Sequence, residues 1–145
     1  MANKNNIKEQ LRRNMVALIS LVVACTSLGY NTWRNERSEE NRTQRLVAIE
    51  MLLKLGQLQQ LVYHSHYDGD IDVRGNPRTG WTLVLTMRDI ATILDAPMPA
   101  SAEALRATWE TNWQALPDST DAKNAIEANI ESLRADTLAM LKELD

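Results

Sequence analysis

From Met15 to Tyr30 the chain runs without a charged side chain, and the uncharged stretch extends through Asn31 and Thr32 to Trp33. A helix over residues 15–33 would cover roughly 28 Å at 1.5 Å per residue, close to the ~30 Å hydrocarbon thickness of a bilayer. Met15, Leu18, Ile19, Leu21, Val22, Val23 and Leu28 supply its apolar surface, and Tyr30 and Trp33 fall where interfacial aromatics sit. Arg12 and Arg13 precede the run and Arg34, Arg37, Arg42 and Arg45 follow it. That bracketing favours a membrane segment over a buried helix of a soluble protein, and no second such run exists.

Periodicity predicts helices for the rest. Residues 35–67 contain no proline, and a wide apolar stripe of Ile49, Leu52, Leu53, Leu55, Leu58, Leu61 and Val62 follows a polar section. Oppositely charged residues recur there at helical spacing, so a helix continuous with the membrane segment is expected. Residues 68–80, dense in Gly, Asp, Asn and Pro, read as the longest loop. Leu83, Met87, Ile90 and Leu94 predict a helix that Trp81 opens and Ala96-Pro-Met-Pro stops. Ser101 reads as the N-cap of a helix running through Leu105, Trp109 and Leu116 to Pro117, and 118–121 start the next. Ile126, Ile130, Leu133, Thr137, Met140 and Leu144 keep a 4-3-4-3-4 spacing, a bundle-packing stripe. The fold class expected is all-α: a single N-terminal transmembrane helix followed by an antiparallel bundle of about four helices. The divisions are a short basic tail at 1–14, the membrane helix at 15–33 and an extramembrane bundle at 34–145.

Composition agrees with this and narrows the chemistry. The chain of 145 residues has five Gly, four Pro, no Phe and one Cys. A disulfide framework within the chain and a thiolate-rich zinc site are therefore excluded. The net charge of −3 hides an asymmetry. Residues 1–45 carry eight basic and four acidic side chains, leaving eight basic against fifteen acidic in the remainder. An acidic body has no broad positive field for phosphates, so nucleic acid is not an expected partner.

The Lys/Arg count around the apolar run is a tie, four on each side. The short basic leader resembles a signal-anchor, and an acidic body can be translocated without a dense positive cluster. The expected location is a bacterial inner membrane, single-pass, with the N-terminus cytoplasmic and the body periplasmic. Val22-Val23-Ala24-Cys25 also looks like a lipoprotein cleavage box, which would replace the helix with acyl chains on Cys25. Continuation of the apolar run through Leu28 and Tyr30 counts against it.

Candidate chemistry is sparse. His64, His66 and Asp68, in a segment that also holds Asp70 and Asp72, have ligand types that suit a divalent metal. A polar helix end with Asp-rich turns accounts for the same residues. The calcium-loop pattern fails, with Val73 and Thr79 at positions that need Gly and Glu. Trp109 and Trp113, at i and i+4, fit the core or, less readily, a ligand pocket. Arg74 and Arg78 flank Gly75-Asn-Pro77 and fit a solvated loop or an anionic ligand. Ser20 with Ala24 and Cys25 with Gly29 permit close helix approach and hence a homo-oligomer. Glu127 and Glu131 read as a solvated face. No phosphate loop, nucleophile elbow or zinc-protease motif is present, so no enzyme activity and no cofactor are expected.

Two function classes follow. A membrane-anchored interaction or accessory protein would use the lipid bilayer as one partner and a membrane or periplasmic protein as the other. The alternative is a periplasmic bundle that senses a small ligand or binds a metal. In outline the arrangement resembles the sensory domains of bacterial chemoreceptors and sensor kinases, which implies a ligand-binding bundle; the resemblance rests on architecture alone. Such a transducer needs a second membrane helix and no second apolar run follows Trp33, so the interaction protein is the first expectation.

Overall fold

The computed structural model describes residue 10 and residues 12–144. Four α-helices account for its architecture, and no strand occurs among the described residues. They are α1 (Met15–His66), α2 (Pro77–Ala91), α3 (Met98–Asn112) and α4 (Thr120–Glu143). Most of the basic tail expected at 1–14, including Lys4 and Lys8, lies outside the described residues. The chain divides into two compact units, residues 1–40 and 41–145.

In the first unit α1 is exposed at every position. It carries an 18-residue apolar window, none of it buried, and is long and apolar enough to cross a membrane. Its polar side chains are satisfied locally: Thr26 Oγ1 donates to the Val22 carbonyl at 2.8 Å and Thr32 Oγ1 to that of Leu28 at 3.0 Å. Such back-bonding lets a hydroxyl sit in hydrocarbon without an unpaired donor. Tyr30 and Trp33 lie 6.1 Å apart between ring centroids, and the Arg37 guanidinium covers Trp33 at 5.8 Å. The apolar run and the stripe that follows belong to one helix of 52 residues, as the absence of helix breakers predicts.

In the second unit α1 turns one face to the core. Ala48, Met51, Leu55, Leu58 and Val62 are buried, with Gln44 and Ser65 at the two ends, in a sustained 4-3 alternation. α4 runs antiparallel along it. Arg45 donates to the Leu144 carbonyl, Arg134 to Gln59 Oε1 at 2.8 Å and Lys123 Nζ to the Tyr67 hydroxyl at 3.1 Å. α3 packs against both α2 and α4. Gln44 Nε2 reaches the Ile93 carbonyl just beyond α2 at 3.2 Å. The expected α4 stripe is buried from Ile126 to Met140, and Leu144 caps the helix half-buried.

Four boundaries and one face differ from the sequence reading, the first being the end of α2, which stops at Ala91 with turns at 92–93 instead of continuing to Leu94. α2 starts at Pro77, not Trp81, because Asn76 is extended and its Oδ1 accepts the Arg78 N–H at 2.9 Å, with proline in the first turn where its missing donor costs nothing. α3 starts at Met98, so Ser101 is no N-cap; its hydroxyl donates to Asp136 Oδ2 on α4 at 2.5 Å. The same helix ends at Asn112, and 113–118 form turns instead of helix up to Leu116. Ser119 caps α4, accepting the Ala122 N–H at 3.2 Å. Ile49 and Leu53, expected on the buried stripe, are about half exposed, because seven apolar positions span more arc than the core covers and the phase through Met51 wins.

Candidate functional site

The last turn of α1 and the loop after it build the most structured polar region of the second unit. Gly69 at φ +63° lets the chain reverse after Asp68. The Asp70 N–H then returns to the His64 carbonyl at 3.1 Å, and the Gly75 N–H closes onto the Asp70 carbonyl at 2.7 Å. Gly75 is required by contact: a Cβ there would lie 2.6 Å from both the Asp70 carbonyl oxygen and the Ser65 nitrogen. The Asp70 carboxylate binds Arg74 Nε at 2.7 Å and accepts the Val73 N–H at 3.3 Å.

That ion pair makes the loop pH-sensitive. The Arg74 guanidinium, with help from backbone N–H groups, holds the Asp70 carboxyl below the usual carboxylate range, and Asp70 raises Arg74 in turn. A lowered acid stabilises the fold above its unfolded value of about 3.9 and loses that contribution as pH falls through the lowered value. Hydrogen exchange at the Gly75 amide, corrected for intrinsic pH dependence, should therefore quicken only in that acid range, and Asp70→Asn should abolish the step.

His64 and Asp68, one helical turn apart, meet with Nδ1 and Oδ2 separated by 2.6 Å. Arg74 also approaches that carboxylate at 3.9 Å. His66 does not join them: its Nδ1 donates to the Leu116 carbonyl at 2.9 Å and its ring stands edge-on to Tyr67 at 4.9 Å. The expected metal set of His64, His66 and Asp68 is thus not assembled. Among the described residues no group of three or more His, Cys, Asp or Glu side chains is placed to hold a metal ion. What His66 does is tie the α3–α4 connection to the end of α1.

That tie helps frame a cavity of about 510 Å³. Trp113, Pro117, Pro77 and Ile71 give it apolar walls, and Ser65 opens onto it from α1. Asp72 and Arg78 line it from either side of the cap residue Asn76 in the sequence, and Asn76 and Gln114 complete the polar lining. Trp113 and Arg78, read separately in the sequence as candidate ligand contacts, are brought to one site by the fold. Trp109 is not part of it: fully buried in the core, its ring stands against Gly80, where a Cβ would come within 2.1 Å of Cζ2. A second cavity of about 410 Å³ is lined by His64, Arg74, Gln57, Gln60 and Thr79 together with Leu61, Val73 and Leu83.

Exposed apolar side chains of the second unit occur in the loop, on α2, just beyond α2 and on α4 as well as on α1, where three of them follow one another at helical spacing. Leu46, Ile49 and Leu53 are 61%, 50% and 58% exposed, one helical turn apart. Glu127 and Glu131 are paired, with Lys123 at 3.0 Å and Arg134 at 3.1 Å. Lys123 was not legible as a buried residue; it is nearly covered, held by Tyr67 and Glu127, and the Tyr67 hydroxyl followed by Glu127 raises its pKa. Cys25 is an exposed free thiol within the apolar part of α1. No known protein family matches the chain, and no curated protein or solved structure is significantly similar to it.

Proposed function

We propose that this chain is a membrane-anchored, non-enzymatic interaction protein. Residues 15–33 cross the inner membrane once with the N-terminus cytoplasmic, and the helical bundle docks on another envelope protein in the periplasm. The observation that carries the docking is the Leu46, Ile49 and Leu53 face. Singly exposed apolar side chains are ordinary on a surface, whereas three in register on one helix form a patch that a partner can dehydrate. Glu50 and Lys54, paired at 3.2 Å on the same helix, supply a polar edge of the kind interfaces carry.

The test is site-specific photo-crosslinking in intact cells. A crosslinker placed at Leu46, Ile49 or Leu53 should trap one envelope protein that the same group at Asn124 on α4 does not. Ile49→Asp should lose the adduct while leaving the helical content unchanged, because the position is half exposed. Equal trapping from all four positions, or none from the three, would contradict the assignment.

A further inference from the structure

The 510 Å³ cavity shares no lining residue with the Leu46, Ile49 and Leu53 face. We infer that it is a binding site for a small zwitterion of the α-amino-acid class with an apolar side chain. The charges that line it are one acid and one base, Asp72 and Arg78, both exposed. Neither forms an ion pair within 4 Å with the other or with any described residue. The neighbouring loop charges behave differently: Asp70 and Arg74 pair at 2.7 Å, and Asp68 takes His64 and Arg74. Two opposite charges kept apart on one cavity suit a molecule that bears both.

The remaining lining fits the same molecule. Ser65 is only 3% exposed and is one of the residues that line this cavity. A hydroxyl in such a place serves as donor or acceptor to a polar group entering the site. Trp113, Pro77, Pro117 and Ile71 offer rigid apolar surface, at little entropic cost, to a side chain of leucine or phenylalanine size. Arg78 provides the planar fork that recognises a carboxylate. Asp72 provides the acceptor for an ammonium. The site is held open by parts already fixed: Asn76 Nδ2 donates to the Asp72 carbonyl at 3.0 Å while its Oδ1 takes the Arg78 N–H, so the cap sets the spacing of the two charged residues. Gly75 pressed on Ser65, and His66 bound to Leu116 next to Pro117, fix two of the lining segments.

Isothermal titration of the full chain in detergent micelles tests this with L-leucine and L-phenylalanine, set against N-acetyl-leucine and leucinamide. Either free amino acid should bind saturably at one site, and each blocked compound, lacking one charge, should bind roughly tenfold or more weakly. Arg78→Gln should abolish the preference for leucine over leucinamide, and Asp72→Asn the preference over N-acetyl-leucine. Both side chains are exposed and unpaired, so the variants should keep the wild-type circular dichroism spectrum. Three results would overturn the inference: no heat from any of the four compounds, N-acetyl-leucine binding as well as leucine, or leucine binding unchanged in both variants. None of these bears on the crosslinks from the α1 face, so the two readings fail separately.

Discussion

Replacing Trp109 by alanine should cost the bundle about 3–5 kcal/mol, the largest loss expected from any single side chain. Its ring is completely buried, and it is the largest member of a core of Leu, Ile, Val, Met and Ala that contains no Phe. The indole Nε1 has no hydrogen-bond partner, so no polar contact accounts for the loss and packing carries all of it. The same geometry predicts coupling with α2. Gly80→Ala places a methyl group 2.1 Å from the indole ring, an overpacking that should cost about 1–3 kcal/mol in the native background. With Trp109→Ala in place that methyl has room, and the penalty should shrink or reverse. Denaturant unfolding of the four proteins, followed by circular dichroism, should give an interaction energy of about 0.5–3 kcal/mol. Strict additivity would mean that the ring does not rest on Gly80.

The second large effect concerns the apolar part of α1. An arginine near the centre of a membrane helix costs about 2.5–3.5 kcal/mol for insertion. Leu21→Arg combined with Val23→Arg applies that cost twice, in a window with no charge of its own. The double variant should move from the alkali-resistant membrane pellet to the soluble fraction. The bundle, whose core begins beyond residue 40, should keep its unfolding transition. A pair of arginines at Ile49 and Leu53 should leave membrane retention as it is, because those positions belong to the bundle. Loss of retention from the second pair and not the first would reverse the assignment of the two halves of α1.

How much of this was legible follows from how each signal is written. α4 could be read residue by residue because its apolar positions keep one narrow 4-3 register between polar neighbours, and Ser119 stands where a cap belongs. The face of α1 could not, since Ile49, Leu52 and Leu53 compete with Met51 and Leu55 for the same side, and only packing into the shared core selects the phase. The start of α2 was present in the sequence as Asn76 followed by Pro77, a cap and a first-turn proline, but the surrounding Gly and Asp residues gave it the look of loop. Ser101 was misassigned because a Ser after two prolines has the composition of a cap, whereas the helix had already begun at Met98. His66 is not brought to His64 and Asp68 because residues two apart on a helix point to different sides, and His66 faces the α3–α4 connection while His64 faces the loop. The cavity was legible only as fragments. Ser65, Arg78 and Trp113 lie far apart in the chain, and no spacing rule joins them before the bundle does.

The membrane placement of the bundle underlies the docking proposal, and one measurement addresses it directly. The full chain is expressed in a bacterium twice, with a C-terminal reporter active only outside the cytoplasm and with one active only inside. The account predicts a signal from the first fusion, silence from the second, and both proteins in the membrane fraction. A silent outer reporter with an active inner one would contradict it, placing the bundle, its Leu46, Ile49 and Leu53 face and any partner on the cytoplasmic side.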